Sequence, residues 1–255
     1  MIALSSKLSV RLAVSDADIR AAQKLRYDVF ITELGATGDT VDHEQGIEAD
    51  RFDPYFDHLL LIDKDRAEDD QVVGVYRVLT QSQADKIGGF YTEHEYDLTA
   101  LKNSGKRLLE LGRSCLHRDY RGGQGMFMLW NALADYVAAN NIDVLFGVAS
   151  FHGTDLTPIW PSISYLHHKN LAPEELRSKS KTAVDLPIVP MDDISRVEAV
   201  KKIPSLIKAY IKMGGFIGEG VYIDHSFNTT DVCLILDTER MSQSQRALYF
   251  KNRSK

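Results

Sequence analysis

Residues 107–151 constrain this chain more than any other stretch. They read as a strand ("RLLELGRSCLH"), a basic, glycine-rich loop from Arg118 to Gly125, a helix, and a second strand ("VLFGVASF"). The helix is signalled over 126–139, where Met126, Leu129, Trp130, Leu133, Tyr136 and Val137 recur on one side. A strand, a helix and another buried strand in this order dictate a mixed α/β layer. The chain must then supply further strands and cover both faces of the sheet.

The flanking sequence meets that demand. Alternation in "KLSVRLAV" predicts a first strand, and Asp16 can cap a helix running to about Leu34, with Ile19, Ala22, Leu25, Val29 and Phe30 on its apolar side. Residues 35–57 carry Gly, Asp and Glu without periodicity and read as a loop, one able to fold over a site. "HLLLID" and "VVGVYRVLT" predict two strands joined by a charged turn, and residues 80–106 an irregular connection. Beyond Thr157 come a short helix near "WPSISYLHH", an irregular stretch to about Pro204, a helix at "SLIKAYIKMG", and strands at "GVYID" and "DVCLIL". With 255 residues and no repeat or low-complexity linker, a single domain over 1–255 is expected.

Charge and cysteine content exclude several classes. The formal net charge of −6 argues against a nucleic-acid binder, which would need a basic face. Residues 39–70 hold twelve Asp or Glu against three Lys or Arg, whereas 241–255 hold four Lys or Arg and no acid. The two cysteines, Cys115 and Cys233, lie in apolar runs and make no disulfide framework. No stretch approaches 18 uninterrupted apolar residues, and the N-terminus lacks the apolar core of a signal peptide. A soluble, cytoplasmic protein is expected, with peripheral contact at the inner membrane face left open.

The strand–loop–helix unit also carries chemistry. Free N–H groups ahead of a helix N-terminus suit an anion, with Gly122, Gly123 and Gly125 allowing close backbone approach and Arg118 and Arg121 adding charge. An ordinary glycine-rich strand-to-helix turn fits the same residues. In strict alternation Glu110 and Arg113 point to opposite faces of their strand. They share a face only if a bulge intervenes, for which Gly112 is the natural host. Either they form a structural ion pair or they serve a reaction, since charge inside an apolar strand is costly unless paired or functional. Arg77 poses the same question within "GVYRVL", and Arg26 lies in the helix "LRYDVF". The acidic run "DHEQGIEADRFD" is by default a solvated loop; its functional alternative is a dock for a cationic amine. His167 and His168 lack ligand spacing with any Cys or acid cluster, so no metal site is expected. Without a Gly-x-Ser-x-Gly elbow, neither Ser114 nor Ser150 stands out as a nucleophile.

Together these segments resemble the GNAT superfamily of acyltransferases. "LRYDVF", "ADRFD", "VVGVYRVL" and "LELGRSCLH" look like the pattern shared by acyl-homoserine-lactone synthases and ornithine-lipid enzymes. "GVASFHGTD", "SYLHHKNLAP", "IPSLIKAYIKMGG" and "DHSFNTTDV" are similar to the ornithine-lipid branch, the acyl-carrier-protein-dependent ornithine N-acyltransferases. The resemblance implies a GNAT-like α/β fold, a central mixed sheet flanked by helices, with an extended C-terminal half. It implies transfer of a fatty acyl group, 3-hydroxyacyl in this branch, from acyl carrier protein to the α-amine of ornithine. No cofactor would be permanently bound; the donor would be the carrier's acyl-phosphopantetheine. Of the two residues placed at the catalytic centre, Glu110 would be the base, directly or through water, and Arg113 would order the site or meet the amino-acid carboxylate. Leu116, Arg121, Gly122, Gly123 and Gly125 would hold the donor. Arg26, Phe30 and Arg77 would order the site or meet the amino acid, and Asp50 and Asp53 would receive the ornithine side-chain ammonium. One departure bears on the donor: the GNAT pyrophosphate loop, read from Arg121, has Gln124 and Met126 where small residues belong. That argues against coenzyme A and for the smaller phosphodiester of a carrier's arm. Three other readings remain: acylation of glycine or another amino acid, a homoserine-lactone synthase, and a non-catalytic domain that binds an acyl carrier or membrane.

Overall fold

The computed structural model describes residues 7–245 apart from 183 and 185. The basic residues of 246–255 and the first six residues lie outside the described residues. One eight-stranded sheet organises the rest. In chain order its strands are β1 (Leu8–Leu12), β2 (Asp57–Asp63), β3 (Val72–Thr80), β4 (Leu108–Leu116), β5 (Val144–His152), β6 (Phe216–Ile217), β7 (Tyr222–Asp224) and β8 (Thr229–Asp237). The helices are α1 (Asp16–Arg26), α2 (Gln81–Ile87), α3 (Thr99–Lys102), α4 (Gly125–Ala139), α5 (Trp160–Asn170), α6 (Arg196–Lys202) and α7 (Ser205–Lys212). Strand order is β1-β2-β3-β4-β5-β8-β6, with β7 also paired to β8. Only β4 and β5 run parallel, which makes the sheet mixed as expected. No described helix is long and apolar enough to cross a membrane.

Burial on both faces explains why β2 reads as an unbroken apolar run. Leu59 and Leu61 pack with Leu129, Leu133 and Val137 of α4, whereas Leu60 and Ile62 pack with Ala22 and Leu25 of α1. A third apolar group joins Phe90, Tyr96 and Leu101 from the 80–106 connection to Leu108, Phe146 and Ile235 of the sheet. That connection is therefore not irregular. It contains α2, closed by Gly88 at φ 91, and α3, helices too short for periodicity to reveal. For the same reason α6 appears within the stretch expected to be irregular. Ser15, not Asp16, caps α1, accepting from the Asp18 N–H. Past Arg26 the helix continues as a π-helix over Tyr27–Glu33, a rare winding that occurs mostly at functional sites.

Two irregularities open the sheet. β4 and β5 pair only from Leu108↔Val144 to Glu110↔Phe146, and their later residues diverge. Gly147 marks the fork, because a Cβ there would stand 2.2 Å from the Leu111 carbonyl oxygen. On the other edge of β4 the register with β3 slips between Val75↔Cys115 and Arg77↔Gly112, so Arg113 and Ser114 together oppose Tyr76. The expected bulge exists, one residue later than Gly112. Arg113 takes the left-handed conformation at φ 49 that a glycine would occupy more cheaply.

The fork makes a testable demand on Gly147. Gly147→Ala should lower unfolding stability by about 1–3 kcal/mol, the usual cost of an overpacked interior site, read as a lower urea midpoint at unchanged slope. Unaltered stability would mean that the strands can part further without cost.

Candidate active site

Between the diverging strands lies a cavity of about 250 Å³. Leu111, Gly112, Arg113 and Ser114 of β4 line one side, and Gly147, Val148, Ala149 and Ser150 of β5 the other. Phe30 of the π-helix and Leu206 and Tyr210 of α7 close over it. At the level where pairing stops stands Glu110, which is 1% exposed and borders the cavity. Its two oxygens accept the N–H groups of Tyr91 (2.8 Å) and Thr92 (2.6 Å), at the start of the 3-10 turn Tyr91–His94. Burial raises its carboxyl to about 7, and those two donors keep the rise from going further. A carboxylate poised near neutrality at the neck of a cleft is fitted to take a proton.

Around it the arginines and acids form one network. Arg26, fully buried, clamps Asp53 with both terminal nitrogens at 2.6 Å and meets Glu48 at 2.7 Å. Arg77 bonds Asp53 at 2.7 Å and Asp50 at 2.8 Å and lies over the Phe56 ring at 4.2 Å. Arg113 reaches Glu48 at 3.3 Å and Asp50 at 3.5 Å, its guanidinium held between the rings of Tyr91 (5.0 Å) and Phe227 (4.5 Å). Burial would raise Asp53, but the bonds and charge of Arg26, then Arg77, hold it well below the usual carboxylate range. Burial pushes the neighbouring His58 down to about 4, so it stays neutral.

These contacts redistribute the expected roles. Arg26 is sealed in the interior and does not border the cavity. Arg77 and Arg113 also border the cavity. Asp53, 2% exposed, spends both oxygens on guanidinium groups and on Gln23, while Asp50 is bound by Arg77 and Arg113 and holds the Phe52 N–H. Neither carboxylate is open to an incoming ammonium. The acidic loop is thus largely an internal counter-charge for three arginines.

The glycine loop sits at the fork's outer end. Gly122 has φ 73, and Gly125 begins α4, where a Cβ would meet Leu61 at 3.0 Å. Gln124 gives α4 no side-chain cap, which leaves its first N–H groups to other partners. Arg121, expected to meet a phosphate, instead pairs with Glu33 and donates to the Leu116 carbonyl at 3.0 Å, joining the loop to the π-helix. Arg118 is exposed beside it. Burial pushes the Cys115 and Cys233 thiols up to about 12, so neither offers a thiolate.

Three acids reach the cavity unannounced by the sequence. Glu95, Asp224 and Asp231 place carboxylate oxygens within 4.8 Å of one another. They come from segments 130 residues apart, and no spacing could have grouped them. Tyr91 and Phe227, which flank Arg113, were equally invisible.

The family comparisons agree with this geometry. The acetyltransferase (GNAT) domain model matches residues 25–131, from Leu25 through the glycine loop into α4. The L-ornithine N(alpha)-acyltransferase of Rhodobacter capsulatus is 51% identical over 98% of this chain and 97% of its own length. That of Brucella abortus is 41% identical over 95% of this chain and 88% of its own. This chain belongs to the L-ornithine N(alpha)-acyltransferase family. It is an acyltransferase on a GNAT fold. Among solved structures, FeeM, an N-acyl amino acid synthase from uncultured soil microbes, superposes with a TM-score of 0.56 at 11% identity, covering 93% of this chain and 95% of that one. The acyl-homoserine-lactone synthase LasI gives 0.52 at 16%, covering 96% and 95%. At such identities they speak for the fold alone.

Because Asp53 neutralises two buried guanidinium groups, Asp53→Asn in this acyltransferase should cost about 3–5 kcal/mol, the usual price of orphaning a buried charge. Urea unfolding at neutral pH measures it, and a loss below about 1 kcal/mol would show that the arginines find other partners.

Proposed function

We propose that the enzyme moves a fatty acyl group from the phosphopantetheine thioester of acyl carrier protein to the α-amine of ornithine, giving a lyso-ornithine lipid. The observation that carries the reading is Glu110, a buried carboxylate raised to about 7 at the neck of the cleft. The family to which the chain belongs supplies the acceptor.

Chemistry follows from the parts. Glu110 removes a proton from the α-ammonium, directly or through one water, and the freed lone pair attacks the thioester carbonyl. Negative charge collects on the carbonyl oxygen. The N–H groups of β4 that face the fork, released from pairing with β5 past Glu110, are the available donors. Collapse of the tetrahedral intermediate breaks the carbon–sulfur bond; the departing thiolate takes the second proton that the nitrogen gives up, and the first leaves Glu110 for solvent. Leu111, Leu206 and Tyr210 give the acyl chain an apolar wall. Arg113, fixed by two rings, orients the acceptor, and the uncapped start of α4 with Gly122, Gly123 and Gly125 is the seat for the arm's phosphodiester.

Two measurements test this reading. With the α-amine in its reactive range, kcat/KM should rise with a midpoint near pH 7 as Glu110 ionises. Glu110→Gln should abolish that rise and lower turnover about 10²–10⁴-fold, the usual worth of a general base. A mutant with near-normal turnover and an unchanged profile would remove Glu110 from the mechanism.

The donor has its own test. Carrier proteins are acidic, and exposed Arg118, Lys201 and Lys202, with half-buried Lys208 on α7 beside the cavity-lining Leu206 and Tyr210, are the cations available to dock one. Activity with acyl carrier protein should fall as salt rises, because such steering is screened over about 8 Å at physiological ionic strength. Arg118→Glu should weaken use of the carrier while sparing a free acyl-pantetheine. Equal use of carrier and coenzyme A thioesters, without salt dependence, would reject the carrier.

A further inference from the structure

We propose that Glu95, Asp224 and Asp231 form the seat of the acceptor's side-chain ammonium and thereby select a diamino acid over neutral amino acids. The inference rests on the ornithine reading above and assigns it a place in the cavity.

Each acid borders the same cavity as Glu110. Glu95 and Asp231 are each only 3% exposed, yet Glu95 Oε2 and Asp231 Oδ1 accept no hydrogen bond among the described residues. A buried carboxylate oxygen without a donor is costly, and two facing one cavity call for a cation. Asp224 is oriented for the task, its Oδ1 accepting the N–H groups of Ser226 (2.8 Å) and Phe227 (3.0 Å). Arg113, which also borders the cavity, makes its ion pairs with Glu48 and Asp50 instead. Burial, then the charges of Asp231 and Asp224, raises Glu95 well above the usual carboxylate range, and burial lifts Asp231 to about 6 against the Ser150 and Thr229 hydroxyls, which pull it down. That strain is what an arriving positive charge would relieve.

An ammonium fits the spacing. Three acceptors about 2.8 Å from a tetrahedral nitrogen lie ~4.6 Å from one another, and the three carboxylate oxygens lie within 4.8 Å of one another. Glu95, Asp224 and Asp231 line this cavity together with Glu110. One acceptor molecule can offer its α-amine to the base and its side-chain amine to the triad.

The test compares ornithine with 2-aminopentanoate, which has the same carbon skeleton but no second amine, using one acyl-thioester donor. In Glu95→Gln and in the less buried Asp224→Asn, the ratio of kcat/KM for ornithine to that for 2-aminopentanoate should fall at least tenfold. The KM for ornithine should rise about 10- to 100-fold, as expected when one charge-assisted hydrogen bond is lost, with that for the donor unmoved. Circular dichroism melts establish that the variants are folded. An unchanged ratio, or equal losses for both acceptors, overturns the seat. Calorimetry with ornithine separates this from failure of the reaction assignment. Binding that is lost in Glu95→Gln, in a wild-type protein that acylates no amino acid, keeps the seat and sinks the reaction. Ornithine binding that survives Glu95→Gln, while the Mn²⁺ binding of the wild type is lost in the variant, makes the triad a metal site and overturns the proposal.

Discussion

Everything in this molecule that could do chemistry depends on two parallel strands that stop pairing. Beyond the pair Glu110 and Phe146 the sheet surrenders ladder hydrogen bonds that an interior sheet would normally keep. Gly147, without a side chain, lets β5 lie close against Leu111 where pairing ends, and the bulge at Arg113–Ser114 interrupts β4 on its other edge. The consequences are three: a cavity within the layer, unpaired backbone donors along its wall, and a carboxylate left at its neck. None of them needs a mobile loop or a bound cofactor.

A cleft of this kind would be unstable if its charges were loose. Arg26, Arg77 and Arg113 share Glu48, Asp50 and Asp53 in one buried network, and Asp53 serves two of the arginines at once. The acids come from the 35–57 loop, so the network also fastens that loop over the sheet. Substituting one partner would leave the others desolvated without compensation. The network therefore holds the shape of the site, and only Arg77 and Arg113 show a face to its interior.

Much of this was legible in the residues. β3 coincides with "VVGVYRVLT", β5 extends "VLFGVASF" by one residue, and α4 covers the stripe at 126–139 with Gly125 added. Those elements pack against both sides of the core, and their periodicity is strong. The need for a bulge near Gly112 was also readable, because strict alternation could not bring Glu110 and Arg113 to one cavity. What failed to show was tertiary in origin. The acidic loop looked like a dock for an amine, since a sequence displays its negative charges but not the guanidinium groups that will cover them. Arg121 looked free for a phosphate until Glu33, 88 residues away, was found beside it. Glu95 sat in a stretch without periodicity, and it acquires meaning only when the chain returns with Asp224 and Asp231.

The hairpin that carries those last two acids, Tyr222–Asp224 with Thr229–Asp237, has a further implication for how such an enzyme changes over generations. Glu110, the fork's first strand and the glycine loop lie within the stretch that matches the GNAT domain, residues 25–131, whereas the hairpin lies about ninety residues beyond it. Under the proposed roles, two of the three carboxylates assigned to the acceptor belong to a part of the chain separate from the proposed base. Mutations there would then re-aim the enzyme toward a different amine without disturbing Glu110, so acceptor preference would drift while the reaction itself is inherited intact.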